Sequence, residues 1–146
     1  MTARLLVIQH EPSSPPGLVA AAAAATGVEL WVVEAPGEPV PVTLEGADGL
    51  VVLGGAMDAD ETGDFPHLAR TMDLLADAAA RSAPALGICL GAQLAAAALG
   101  GRSYPGPDGE ELGWTKVELT DAGLHGEAGT LLPALVAAAL RARPQR

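Results

Sequence analysis

The stretch Ala85-Leu86-Gly87-Ile88-Cys89-Leu90-Gly91-Ala92-Gln93 decides the fold. An apolar run, Ala85 to Ile88, stops at the chain's single cysteine, and a helix-forming run, Ala92 to Leu99, follows three residues later. A strand, a sharp turn and a helix in that order put Cys89 on a strained corner. The residues two before and two after it must then be tiny to avoid each other. Gly87 and Gly91 occupy those two positions. The helix that follows would aim free backbone N–H groups and the positive end of its dipole at the sulfur, surroundings that suit a nucleophile. Gln93, four residues on, would project from the same face and reach a bound substrate. The competing reading makes Cys89 a small hydrophobe in a core, the usual fate of a lone buried cysteine. The paired glycines and the flanking elements favour the reactive corner.

Outward from the corner, Leu5 to Ile8 and Gly49 to Leu53 are continuous apolar runs, as expected of central parallel strands covered on both faces. Glu29 to Val33 reads as a further strand. Pro15-Pro16 suits the start of a helix over Leu18 to Thr26, with Gly27 as its C-terminal cap. Asp64 is the expected N-cap of a second helix, with Pro66 in its first turn and Leu68, Met72, Leu75 and Ala79 as its apolar stripe. Arg70, Asp73, Asp77 and Arg81 fall opposite, Asp77 and Arg81 forming an i,i+4 pair, and His67 is expected on the exposed rim. Trp114 to Leu119 alternates apolar with polar and reads as a peripheral strand, and Leu131 to Arg143 as a closing alanine-rich helix. The expected fold is α/β: one domain over 1–146, an open, mostly parallel, flavodoxin-like sheet with helices on both faces.

In such a sheet ligands bind at the carboxyl ends of strands, where Gly54-Gly55, His10-Glu11 and Cys89 all fall. Gly54-Gly55 lets backbone approach a ligand closely; the alternative is a tight turn that simply needs glycine. His10 with Glu11 is one candidate base and orienter, a position on the loop rim being the favoured alternative. His125-Gly126-Glu127, 36 residues past Cys89, is another, against a surface loop. The acidic loop Met57 to Gly63 lacks the ligand spacing of a metal site, so neither a metal nor a cofactor is expected.

The 146 residues carry a formal charge of −10, which argues against nucleic acid as a partner. Its apolar runs are far too short for a membrane span. With one cysteine and no signal-peptide pattern, the default compartment is the cytoplasm.

Gly87-Ile88-Cys89-Leu90-Gly91-Ala92-Gln93 resembles the nucleophile motif of class I glutamine amidotransferases, most closely the stand-alone branch similar to the amidotransferase domain of guanosine monophosphate synthetase. Gln9-His10-Glu11-Pro12, Val51-Val52-Leu53-Gly54-Gly55-Ala56-Met57 and Glu111-Leu112-Gly113-Trp114 extend the resemblance over about Leu5 to Thr120. It implies hydrolysis of the glutamine side-chain amide through a thioester on Cys89. The N–H groups of Gly55 and Leu90 would form the oxyanion hole, Gly54 and Gln93 would contact substrate, and ammonia would pass to an acceptor synthetase. The family's base and orienter are a His-x-Glu pair beyond a much later strand, usually His-Pro-Glu. Here only His125 and Glu127 have that form, so the expected domain is truncated at its C-terminal end. His125 also fits an echo of a non-catalytic His-Gly-Asp segment of this branch.

Two other classes stay open. One is a catalytically silent relative acting as a binding or regulatory module, or a gene remnant. The other is the intracellular protease and deglycase branch, in which a histidine commonly follows the nucleophile; here that position is Leu90. A truncated sheet would leave an uncovered edge, so the chain is expected to form a homodimer, to bind a partner or to be marginally stable.

Overall fold

The computed structural model describes residues 2–107. The expected strand at 114–119, the His125 and Glu127 pair and the helix at 131–143 lie outside those residues. Among the described residues four strands, β1 (Arg4–Gln9), β2 (Glu29–Glu34), β3 (Gly49–Val52) and β4 (Ala85–Gly87), pair in parallel in the order β2-β1-β3-β4. Three helices accompany them: α1 (Leu18–Thr26), α2 (Pro66–Ala80) and α3 (Leu90–Ala98).

The apolar runs of β1 and β3 carry the architecture because each strand must fill two cores. Leu6, Ile8, Leu50 and Val52 point to one face, where they pack with Leu68, Leu74 and Leu75 of α2 and Leu90 and Leu94 of α3. Leu5, Val7 and Val51 point to the other, against Val19 and Ala23 of α1. The period-two alternation of side chains across a strand therefore sorts one continuous run into two apolar layers. Helices cover both faces of the sheet, as expected.

Register fixes the ends of the strands. Ile8 pairs with Val52, and Val52 with Gly87, so three chain segments leave the sheet side by side at its carboxyl edge. Beyond the ladder the Leu53 N–H still donates to the Ile8 carbonyl at 3.0 Å, and the Ile88 N–H to the Val52 carbonyl at 2.9 Å. Those bonds hold the first residues of the site loops in the plane of the sheet.

Several local expectations change. The N-cap of α2 is Phe65, not Asp64, and no side-chain hydrogen bond caps it. The buried stripe of α2 is Leu68, Thr71, Leu74, Leu75 and Ala78. Thr71 enters the core because its hydroxyl donates to the His67 carbonyl at 2.8 Å, satisfying the polar group within the helix. That rotates the stripe, leaving Met72 partly buried and Ala79 exposed. Asp77 and Arg81 do pair, at 2.8 Å, and the Asp77 carboxylate also accepts the Leu44 N–H at 2.8 Å. Its pKa lies below the ordinary aspartate value, chiefly through that backbone N–H and then through the Arg81 side chain. Among the described residues no helix is long and apolar enough to cross a membrane.

Candidate active site

Cys89 is the residue between β4 and α3, with φ 53° and ψ −115°. A side chain at positive φ is crowded by its own backbone, at a cost of about 1–3 kcal/mol, and persists only where its surroundings impose it. Here the imposition comes from the first turn of α3, which folds directly back over β4 and β3. The Gly91 N–H donates to the Ile88 carbonyl at 2.9 Å and the Ala92 N–H to the Cys89 carbonyl at 2.8 Å. A Cβ on Gly87 would stand 2.5 Å from the Gly91 carbonyl carbon and 2.7 Å from the Ala92 nitrogen. One on Gly91 would press into the Val52 carbonyl. Both glycines answer to close backbone approach, and the helix starts at Leu90, two residues earlier than periodicity alone suggests.

The thiol is exposed. It stands over the glycine pair that follows β3: a Cβ on Gly54 would lie 3.4 Å from Cys89 Cβ and 4.0 Å from Sγ. Gly55 is enclosed, its Cβ position being 3.0 Å from Leu90 Cδ2 and 3.2 Å from His10 Cβ. Among the described residues neither the Gly55 nor the Leu90 N–H donates to a protein acceptor. Leu90 opens α3, where backbone N–H groups have no partner within the helix. Gln93 is exposed one turn along, its N–H donating to the Cys89 carbonyl at 3.2 Å. The corner thus gathers Cys89, Gly54, Gly55 and Leu90, with Gln93 a turn away.

Sequence reasoning missed two further contacts. Glu11 is a strap rather than a partner of His10. Its Oε1 accepts the Ser13 and Ser14 hydroxyls at 2.8 and 3.0 Å, and its Oε2 accepts the Ala56 N–H at 3.2 Å. The carboxylate so ties the loop after β1 to the loop after β3. Its pKa falls below the usual glutamate value, Ser13 contributing most, then Ser14 and Ala56. The spacing Glu11-x-Ser13-Ser14 hints at the first two bonds; nothing local hints at the third.

His10 does not sit on a rim. It is 1% exposed, stacked on His67 with ring centroids 5.3 Å apart, and neither of its nitrogens has a hydrogen-bond partner. Nε2 of His67 is likewise buried and unpartnered. Burial pushes His10 down to about 4, helped by the neighbouring His67 and opposed by Glu11; burial lowers His67 too. Neither imidazole bonds to the Cys89 thiol among the described residues. No three His, Cys, Asp or Glu residues there are grouped to hold a metal ion.

The sequence profile of the family described as "Glutamine amidotransferase class-I" matches residues 17–130. This chain belongs to that family. Among curated proteins this amidotransferase-family chain is 40% identical, over 73 residues, to a glutamine-hydrolyzing GMP synthase subunit of Methanothrix thermoacetophila. The match covers 50% of this chain and 33% of that protein. Among solved structures, a glutamine amidotransferase from Thermotoga maritima superposes with a TM-score of 0.71 at 32% identity, over 78% of this chain and 50% of its own length. A glutamine amidotransferase from Methylobacillus flagellatus gives 0.68 at 30% identity, over 73% of this chain and 43% of the other. The match thus spans a third of the curated relative and half or less of these two structures.

Proposed function

We propose that the Cys89 corner hydrolyses the side-chain amide of glutamine. In this reading the sulfur attacks the amide carbonyl, and the oxygen gathers negative charge between the N–H groups of Gly55 and Leu90. Gly54 forms the wall against which the reacting carbon is held, and the Gln93 amide contacts the bound glutamine. The C–N bond breaks as the thiol proton leaves with ammonia, and water then cleaves the thioester to glutamate and restores the thiol. His125 and Glu127 are our candidates for the base that moves this proton and the group that orients it. By analogy with the relative named as part of a GMP synthase, ammonia would be delivered to a synthetase partner docked on this chain. The lone thiol suits the reducing cytoplasm.

The observation that carries the reading is the positive φ of Cys89 beside two uncommitted backbone N–H groups. A strained, exposed thiol on a corner whose next residue keeps a free N–H is poorly explained by packing. The test is glutamate release from glutamine by the purified chain and its Cys89→Ala variant. Equal rates for the two refute it.

A second reading has its own support: among the described residues neither imidazole hydrogen-bonds to the thiol, and the two rings pack against each other. A corner without a working base would be a catalytically silent binding or regulatory module. Labelling with a glutamine-mimicking chloroketone separates the two, being fast with an assembled triad and slow with a bare corner.

A further inference from the structure

The Gly54-Gly55 pair is bracketed by two hydrogen bonds to one neighbouring segment of chain. Before it, the Leu53 N–H donates to the Ile8 carbonyl at 3.0 Å; after it, the Ala56 N–H donates to Glu11 Oε2 at 3.2 Å. Both acceptors belong to β1 and the loop that leaves it. Glycine has the widest backbone freedom of any residue, and two in a row would let the Gly55 N–H swing through a broad arc. With Leu53 and Ala56 both tied, the torsions of the two glycines can turn only together.

Glu11 is held in place before it holds anything. Its carbonyl accepts Gln9 Nε2 at 3.0 Å and the Ser14 N–H at 3.2 Å, and its Oε1 accepts the Ser13 and Ser14 hydroxyls at 2.8 and 3.0 Å. A glutamate that merely solvates a loop keeps its rotamer freedom, whereas this one has given it up and presents Oε2 to Ala56. The same loop closes the space beside Gly55, whose Cβ position stands 3.2 Å from His10 Cβ.

Resting on the glutamine reading above, in which the Gly55 N–H receives the oxyanion, we infer that Glu11 is a positioning residue for that donor: by holding the Ala56 N–H it fixes the direction in which the Gly55 N–H points. The role depends on reach rather than on charge. A carboxylate near a developing oxyanion opposes it electrostatically, so what Glu11 contributes is geometry. Glutamine at this position keeps the length and an acceptor oxygen. Aspartate keeps the charge but is shorter by about 1.5 Å, too short for a bond that already spans 3.2 Å.

The test uses the full chain and its Glu11→Ala, Glu11→Asp and Glu11→Gln variants, labelled with the glutamine analogue that carries a chloromethyl ketone in place of its carboxamide. The sulfur adds to the ketone, whose oxygen becomes the oxyanion, and then displaces chloride; the thiol proton goes to solvent. Iodoacetamide alkylates the same thiol with no oxyanion and reports the integrity of the corner. Glu11→Ala and Glu11→Asp are expected to lower the limiting labelling rate about tenfold, with the half-saturating concentration and the iodoacetamide rate within about twofold of the parent. Glu11→Gln is expected to stay within about threefold of the parent in all three readings. The inference is overturned if Glu11→Ala labels like the parent, if Glu11→Asp keeps the rate while Glu11→Gln loses it, or if the iodoacetamide rate falls by the same factor. Chloroacetone, the same warhead without the amino-acid part, separates this claim from the one beneath it. If the parent reacts no faster with the glutamine analogue than with chloroacetone, the glutamine reading fails, and the ratio of chloroacetone to iodoacetamide rates across the variants still decides the role of Glu11.

Discussion

Acidification should weaken this fold in a window set by one imidazole. His10 is buried at the end of β1 with both ring nitrogens unpartnered, and its pKa is lowered to about 4 from an ordinary 6.5. The unfolded chain therefore binds a proton that the folded chain refuses between those two values. Stability is complete above pH 6.5, is lost as pH falls towards 4, and is lost no further through this group below that. A difference of roughly 2.5 pKa units is worth about 3 kcal/mol at about 1.4 kcal/mol per unit, a large share of a typical domain's stability. His67 shifts in the same direction and steepens the loss. Glu11 and Asp77 are lowered as well, but they are lost only as pH falls below the ordinary carboxylate values, a separate and lower window. The formal charge of −10 works the other way, since protonating carboxylates relieves self-repulsion. The assay is urea unfolding at intervals from pH 7.5 to 4.0, for the parent chain and for His10→Leu, which fills the same space without nitrogens. The variant is expected to match or exceed the parent at pH 7.5 and to lose most of the slope between 6.5 and 4. Parallel curves for the two proteins would refute the assignment.

The remaining expectations concern the corner and its strap. Gly91→Ala should cost about 3 kcal/mol or more in chemical unfolding, because the new methyl group meets the Val52 carbonyl and backbone must move; an unchanged midpoint would contradict the close approach. Cys89→Gly should raise stability by about 1 kcal/mol by relieving the positive φ, read as a higher urea midpoint, and a fall would show that the corner is unstrained. Glu11→Gln keeps the shape of the strap and removes its charge, so amide hydrogen exchange at Ala56 should quicken several-fold relative to Leu53; equal protection would argue against the strap.

What the sequence makes legible follows the range of the forces involved. The runs of β1 and β3 announce themselves because a strand buried on both faces has no polar alternation to hide. Gly87 and Gly91 are legible because the clash they avoid lies within a few residues of chain. The phase of α2 is not, because Thr71 bonds its hydroxyl within its own helix and so enters a core that composition reserves for leucine and methionine. His10 reads as a rim residue in sequence, since a histidine beside a glutamate looks hydrated. It is buried, and its ring packs against His67, which lies on α2 and far along the chain. The bond from Ala56 to Glu11 spans 45 residues, and no local pattern anticipates it. The thiol and its glycines are thus readable, whereas the imidazoles are placed by tertiary packing alone.

The fit between Gly91 and the Val52 carbonyl leaves no free play between the helix that presents the thiol and the strand that leads to Gly54 and Gly55. Sulfur and amide hydrogens consequently travel as one rigid block, like parts cut from the same casting. For anyone engineering this scaffold, positions 87 and 91 are closed to variation.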